Sequence, residues 1–205
     1  KNVMVSVDES EQTQLPILKF GLIADVQYCD CETAGTRHYK QSLAKLRNAL
    51  GILNSDSVDF VVTLGDLIDL DFESYKPVMS IIDSSGLKFY HALGNHDFSV
   101  DQRYKKRLPQ NTISKEGYFS FIRSNFRFIV LNGNELSTYG SGNNASLREA
   151  QAYLELLKSQ GKKNANDWNG GVSVKQLEWF IKELDKAKEA GQKVIVFSHF
   201  PVYPE

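Results

Sequence analysis

Residues 88–100, "KFYHALGNHDFSV", decide how this sequence is interpreted, because an apolar run there ends abruptly in polar side chains. The run over 87–93 has the continuous apolar character of a strand that is covered on both faces. The G-N-H-D tetrapeptide at 94–97 follows it without apolar spacing. A loop that only caps a strand would explain one such ending, whereas the same ending on several strands would indicate a shared site.

Other apolar runs also end in side chains that can bind metals. Continuous apolar runs recur at 17–24, 58–64, 126–131 and 193–198, with helical periods between them, which predicts a layered α/β sheet. Loops at the carboxyl ends of the strands in such a sheet surround one crevice, so the polar residues there are expected to converge. These residues are Asp25 and Gln27 after the first run, Asp66 and Asp69 after the second, and His199 after the last.

The converging side chains form a mixed oxygen and nitrogen set. Asp25 and Asp66 offer carboxylates, Gln27 and Asn95 offer amide oxygens, and His199 offers an imidazole. This set is too poor in sulfur for a structural zinc site and suits a divalent metal. A carboxylate shared by two metals is the usual core of a two-metal hydrolase, and Asp66 is the natural bridge.

Composition limits the class of protein. The chain of 205 residues carries 24 basic and 25 acidic residues without a block of like charge, which predicts no nucleic-acid and no membrane partner. One domain over 1–205 is expected. We expect a soluble protein, with the cytoplasm favoured; because no initiating Met is present, a removed signal peptide stays an alternative. Cys29 and Cys31 are expected to be free thiols, because a bridge between such close neighbours strains a disulfide.

The blocks D-x-Q, G-D-x-x-D, G-N-H-D and S-H-x-P, in this order, resemble the calcineurin-like metallophosphoesterases. More narrowly, "FGLIADVQYCD", "GTRHYKQSL", "WNGGVSVKQLEWF" and "SHFPVYPE" are similar to the manganese-dependent ADP-ribose/CDP-alcohol diphosphatases, in which Gln replaces the first His of the usual signature. The resemblance spans about residues 18–205. It implies a β-sheet sandwich flanked by helices and a small-molecule nucleotide substrate whose phosphoanhydride bond is hydrolysed.

The resemblance also implies a role for each site residue. His96 would contact the phosphate and help the leaving oxygen, and Asp97 would orient His96 through a hydrogen bond. Arg37, Trp168 and Asn169 would bind the substrate. Two divalent ions are implied, with manganese favoured by the oxygen-rich set and iron, zinc or magnesium as alternatives. The implied metal ligands are Asp25 and Gln27 for the first ion, Asp66 for both ions, and Asn95 and His199 for the second.

One departure from the family pattern concerns the end of the chain. No G-H-x-H block follows the S-H-F-P block before Glu205, so we expect the C-terminal part of the fold to lie beyond Glu205. The alternative is a fragment that cannot assemble the full metal pair. A cyclic-nucleotide phosphodiesterase, a phosphomonoesterase and a non-catalytic metal-binding scaffold are the other functions that this pattern allows. The phosphate-facing His96 favours an enzyme over a scaffold.

Overall fold

The computed structural model describes residues 18–105, 107–108, 114–140 and 144–201, so it contains every strand end discussed above, whereas the ends of the predicted 1–205 domain lie outside the described residues. Within these ranges the strands are β1 (Phe20–Ile23), β2 (Phe60–Thr63), β3 (Phe89–His91), β4 (Phe119–Arg123), β5 (Phe126–Val130), β6 (Leu136–Ser137), β7 (Gly170–Gly171) and β8 (Lys193–Phe197). The α-helices are α1 (Ser42–Ser55), α2 (Tyr75–Ser84), α3 (Gln102–Lys105), α4 (Asn144–Ser159) and α5 (Val174–Glu189).

The strands form two three-stranded sheets and a short ribbon. In the first sheet β1, β2 and β3 run parallel in that order. In the second sheet β4 and β5 form an antiparallel pair, and β8 lies parallel to β5 on its other side. The ribbon pairs β6 with β7. The predicted layered α/β architecture is therefore confirmed, although β4 was not predicted because Phe119 and Phe121 alternate with the polar Ser120.

Aromatic side chains fill the space between the two sheets. Phe60 on β2 and Phe128 on β5 are fully buried, and their ring centroids lie 5.2 Å apart in an edge-to-face contact. Tyr90 on β3 stacks on Phe121 of β4 at 3.6 Å. Each fully buried Phe contributes about 2 kcal/mol through removal of its apolar surface from water. The sheets are thus two layers of a sandwich that this aromatic core holds together.

Helices α1 and α2 belong to a second core. Leu46 and Leu50 of α1 are buried in the same cluster as Val78 and Ile82 of α2. The cluster also includes Ile68, in the loop after β2, so the helices pack beside the end of the first sheet where the polar loops begin. No helix within the described residues is long and apolar enough to span a bilayer.

The sequence pattern at the start of α5 predicts a capping box, but tertiary contacts replace half of it. Ser173 caps the helix by accepting a hydrogen bond from the Gln176 backbone N–H at 3.1 Å. In a capping box, the Gln176 side chain would return to the Ser173 N–H. Instead Gln176 is buried and donates to the Asn132 carbonyl at 2.9 Å, and Glu135 accepts from the Ser173 N–H at 3.0 Å. The helix is therefore tied to the loop after β5.

The prediction of free thiols is wrong, because Cys29 and Cys31 form a disulfide. A bend at Asp30 brings their Cα atoms to 5.2 Å, inside the roughly 4.4–6.8 Å range of ordinary bridges. Cys29 is fully buried. A spacing of two residues therefore does not exclude a bridge when the backbone bends between them.

Candidate functional site

The carboxyl ends of β1, β2 and β3 meet at one edge of the first sheet. The backbone of the loop after β1 bonds to the loop after β2, with Asp25 N–H donating to the Gly65 carbonyl at 3.2 Å and Gln27 N–H to the Asp66 carbonyl at 2.8 Å. These bonds place the D-x-Q and G-D segments side by side. The predicted convergence of the strand ends is therefore present for these two loops.

Three of the predicted metal ligands have left-handed backbone conformations. The φ angles are +55° at Asp25, +43° at Gln27 and +56° at Asp66. A non-glycine residue in this region costs about 1 kcal/mol or more, and such residues cluster at functional sites. The inter-loop hydrogen bonds offset this cost, and the result is that the side chains turn toward one another.

The five predicted ligands form one connected group around Asp66. Gln27 Nε2 lies 3.2 Å from Asp25 Oδ1 and 3.2 Å from Asp66 Oδ2. His199 Nε2 lies 3.1 Å from Asn95 Oδ1 and 3.6 Å from the same Asp66 Oδ2. Asp66 thus stands between a pair from the loop after β1 and a pair from the loops after β3 and β8, which is the position that a bridging ligand would need.

Two glycines allow the loops to approach this closely. A Cβ at Gly94 would lie 2.1 Å from Asp66 Oδ1. A Cβ at Gly65 would lie 2.5 Å from the Gly94 nitrogen and 2.8 Å from His199 Nδ1, and Gly65 has a φ of +100° that favours glycine in any case. Any larger residue at either position would push Asp66 or His199 out of the group.

The tautomer of His199 follows from its contacts. Its Nδ1 lies 2.8 Å from the Leu64 carbonyl oxygen, which can only accept, so Nδ1 carries the proton. Nε2 faces Asn95 Oδ1 at 3.1 Å and Asp66 Oδ2 at 3.6 Å, two oxygens that also only accept, so three atoms with lone pairs converge there as they would around a cation. A ring nitrogen that donates to a backbone carbonyl while the other faces a site is the usual arrangement of a metal-binding histidine.

The group fits a divalent cation chemically. Asp66 is only 2 % exposed, and burial raises its pKa, with the Asp25 charge acting in the same direction. Within the described residues no three His, Cys, Asp or Glu side chains form a metal cluster by themselves. The amide oxygen of Asn95 enlarges the set, whereas the Gln27 amide donates from Nε2 to both carboxylates and would turn over to offer its oxygen to an ion. Hard oxygen donors around a buried carboxylate suit manganese or magnesium better than zinc.

The partner of His96 is Asp69 and not Asp97. His96 Nδ1 lies 2.9 Å from Asp69 Oδ1, and this hydrogen bond raises the pKa of His96. The His96 backbone N–H also donates to Asp66 Oδ1 at 2.8 Å, which fixes the ring beside the group. The prediction that Asp97 orients His96 is wrong. Asp69 could have been found from the second Asp of G-D-x-x-D, which the sequence places at the same sheet edge.

Asp97 instead holds two loops together. Its carboxylate is 1 % exposed and accepts hydrogen bonds from the backbone N–H groups of Gly94, Asp66 and Leu67, all at 2.9 Å, and from the Tyr75 hydroxyl at 2.9 Å. Burial and the nearby Asp66 charge raise the pKa of Asp97 to about 6. The side chain joins the G-D-x-x-D loop to the G-N-H-D loop.

Arg37 contacts His96 and Asp69. One of its guanidinium nitrogens lies 3.4 Å from His96 Nε2, and another lies 3.6 Å from Asp69 Oδ2. Because a guanidinium only donates, Nε2 is the acceptor in this contact and Nδ1 carries the proton toward Asp69. Almost half of the Arg37 side chain is exposed, so it can also reach an anion in the crevice.

Trp168 and Asn169 lie in the loop before β7, and no contact joins them to the group around Asp66 within the described residues. Trp168 is 45 % exposed, and the two amide hydrogen bonds of Asn169 stay within its own loop. Asn169 lines a cavity of about 320 Å³ between α4, the β6–β7 ribbon and the loop after β8. Ser198 and Phe200, the chain neighbours of His199, line the same cavity.

Comparison with known proteins gives a consistent result. The family model described as calcineurin-like phosphoesterase matches residues 18–205. A manganese-dependent ADP-ribose/CDP-alcohol diphosphatase of Mus musculus is 31 % identical over 93 % of this chain and 68 % of its own length. The Homo sapiens protein of the same name is 30 % identical over 97 % of this chain and 69 % of its own length. The crystal structure of a dimetal phosphatase from Danio rerio superposes with a TM-score of 0.77 at 28 % identity, covering 92 % of this chain and 71 % of that one.

Proposed function

Because the chain belongs to the calcineurin-like phosphoesterase family, we propose that it hydrolyses the phosphoanhydride bond of nucleoside diphosphate derivatives such as ADP-ribose and CDP-alcohols, with two divalent ions. The observation that carries the proposal is the connected group of five side chains around the buried Asp66. The names of the similar proteins from mouse and human support the substrate class and the choice of manganese.

The five side chains divide naturally between two ions. Asp25 and Gln27 would hold the first, Asn95 and His199 the second, and Asp66 both, because its Oδ2 faces Gln27 on one side and His199 on the other. When bound, the two ions would polarise the phosphoryl oxygens as Lewis acids. They would also lower the pKa of a water molecule, so that its hydroxide form can attack phosphorus. The lone pair of His199 Nε2 and the charge of Asp66 are already oriented for this purpose.

His96 is proposed to protonate the leaving oxygen. Asp69 holds its Nδ1 at 2.9 Å, which orients the ring, and this hydrogen bond raises the pKa of His96. A general acid works best when its pKa lies near the working pH. In the protonated state Nε2 would give up its contact with Arg37 and donate to the substrate instead, which leaves Arg37 free to bind phosphate.

The remaining substrate contacts are assigned to the loops beside the crevice. We place Arg37 on the phosphates, because it is the guanidinium closest to His96. Trp168 and Asn169 are proposed to contact the organic group, because their loop lines the cavity that begins next to His199. A nucleoside diphosphate suits this arrangement, since its leaving group is a stable phosphate that already carries charge.

The test is a substrate comparison with the full-length protein and Mn²⁺. ADP-ribose, CDP-choline, a cyclic nucleotide and p-nitrophenyl phosphate are assayed together, with Asp66→Asn as the variant that removes the shared charge. We expect release of AMP from ADP-ribose, turnover of CDP-choline, and loss of both activities and of metal binding in Asp66→Asn. A preference for the cyclic nucleotide or for the monoester would contradict the proposed substrate class.

A further inference from the structure

His199 reaches its partners from a different sheet. It follows β8 of the second sheet, whereas the atoms around it belong to loops of the first sheet. Its Nδ1 contacts the Leu64 carbonyl after β2, and its Nε2 contacts Asn95 after β3 and Asp66 after β2. The position of the imidazole therefore depends on how the loop after β8 is held against the first sheet.

The next residue, Phe200, anchors that loop on two glycines. Phe200 is 5 % exposed, and a Cβ at Gly133 would lie 2.2 Å from its Cδ2 atom. A Cβ at Gly170 would lie 2.1 Å from the Gly133 carbonyl oxygen and 3.1 Å from Phe200 Cε2. Neither glycine has a positive φ, so close contact and not backbone conformation is what requires glycine here. We call Gly133 and Gly170 the Phe200 seat.

The Phe200 seat is itself tied to the metal loops. The loop after β5 carries Gly133, and the next residue, Asn134, is 2 % exposed and donates from Nδ2 to the Leu93 carbonyl at 3.1 Å. Leu93 directly precedes the G-N-H-D block. On the other side of the seat, the phenyl ring of Phe200 meets the His199 imidazole edge to face at 5.0 Å. The seat therefore connects the end of β3 to the imidazole through packed atoms.

We propose that Phe200 is a positioning residue that sets His199 through the Phe200 seat. The inference rests on the proposed role of His199 as a metal ligand. Displacing the phenyl ring from Gly133 would move His199 away from Asn95 and Asp66, but Asp25 and Gln27 belong to other loops and would stay in place. The affinity of the ion held by Asn95 and His199 should fall, and the affinity of the ion held by Asp25 and Gln27 should not.

The test is a Mn²⁺ titration of the full-length protein by calorimetry, together with the electron paramagnetic resonance spectrum of bound Mn²⁺. Gly133→Ala is expected to weaken one of two sites by about 10–100-fold, the usual loss when a group supporting a metal ligand is changed. The other site should keep its affinity. Gly171→Ala is the matched control, because its Cβ would lie 3.6 Å from Leu136 Cβ, an ordinary contact, and it should titrate like the unmodified protein.

Three further variants separate positioning from general destabilisation. Phe200→Leu keeps an apolar anchor and should show the same selective loss to a smaller degree. Phe128→Leu removes bulk from the core between the sheets and should lower the thermal unfolding temperature of metal-free protein without changing either affinity. In a Phe200→Ala background, adding Gly133→Ala should have no further effect on metal affinity, because the atom it collides with is gone.

The outcomes discriminate between the inference and its premise. Unchanged affinities at both sites in folded Gly133→Ala and Phe200→Leu variants would overturn the positioning role. An equal fall at both sites that follows the loss of stability would overturn it as well, since a merely structural role predicts that result. If the unmodified protein binds no Mn²⁺, then the proposed function fails together with this inference.

Discussion

At the scale of single residues, the two acidic side chains near His96 differ in what surrounds them. Asp69 faces an imidazole and Asp97 faces backbone N–H groups, although Asp97 is the sequence neighbour of His96. A side chain adjacent in sequence on a tight turn points elsewhere, and the fold supplies the orienting partner from another loop. We therefore expect proton transfer to depend on the pair of His96 and Asp69.

We expect His96→Ala to lower turnover by roughly 10²–10⁴-fold, the usual contribution of a general acid, while the Mn²⁺ content stays close to that of the unmodified protein. Asp69→Asn should lower turnover in the same direction, because the ring loses its charged partner. Adding Asp69→Asn to His96→Ala should cost little more. Asp185→Asn, on the exposed face of α5, is the control. Additive effects in the double variant, or metal loss in His96→Ala, would contradict this assignment.

At the scale of elements, the site depends on close packing between the loop after β2 and the loop after β3. Gly94 is expected to be intolerant of a side chain, because a Cβ would lie 2.1 Å from Asp66 Oδ1. Gly94→Ala should abolish the binding of at least one Mn²⁺ ion and nearly all hydrolysis. Gly51→Ala is the control, since its Cβ meets nothing within 4 Å and alanine favours a helix by about 1 kcal/mol. Calorimetric titration of both variants checks this, and normal metal binding by Gly94→Ala would contradict it.

The elements also show which features the sequence could predict. Continuous apolar runs identified β1, β2, β3, β5 and β8. Strand β2 is buried along its whole length, whereas Leu22 of β1 and Val196 of β8 are exposed, so those two strands are not covered on both faces. Strand β4 was not predicted because its apolar and polar residues alternate. Strands β6 and β7 were not predicted because a two-residue strand is too short to show a hydrophobic pattern. The convergence of the polar residues at the strand ends was predictable, and the structure brings those residues together. The left-handed backbone at Asp25, Gln27 and Asp66 was not predictable, because the hydrogen bonds between distant loops impose it.

At the scale of the whole molecule, a histidine outside the site should make stability depend on pH. His91 lies on β3, its Nδ1 contacts Thr63 Oγ1 at 2.8 Å, and burial lowers its pKa to about 4. The folded protein therefore resists protonation, whereas the unfolded chain takes up the proton below pH of about 6.5. The free energy of unfolding should fall as pH drops from about 6.5 to 4, by at most about 3 kcal/mol from this residue.

Urea unfolding of metal-free protein at several pH values between 7.5 and 4.5 measures this dependence. His91→Gln should remove that part of the slope, because glutamine keeps a polar contact for Thr63 without titrating in this range. His38→Gln, at an exposed position, should leave the slope unchanged. Asp97 has a raised pKa and acts in the opposite direction, but it is present in all three proteins and cancels in the comparison. Equal slopes for His91→Gln and the unmodified protein would contradict the prediction.

The origin of His199 on the second sheet sets the order in which the site can be completed as the chain is synthesised. Gln27 and Asp66 are 39 positions apart, and they belong to neighbouring strands of the first sheet. His199 and its Leu64 partner are 135 positions apart and meet only after the two sheets have docked through their aromatic core. The half of the site around Asp25 and Gln27 can therefore assemble on the ribosome before the half around Asn95 and His199, and an ion bound at that proposed second half would report that the two sheets have docked.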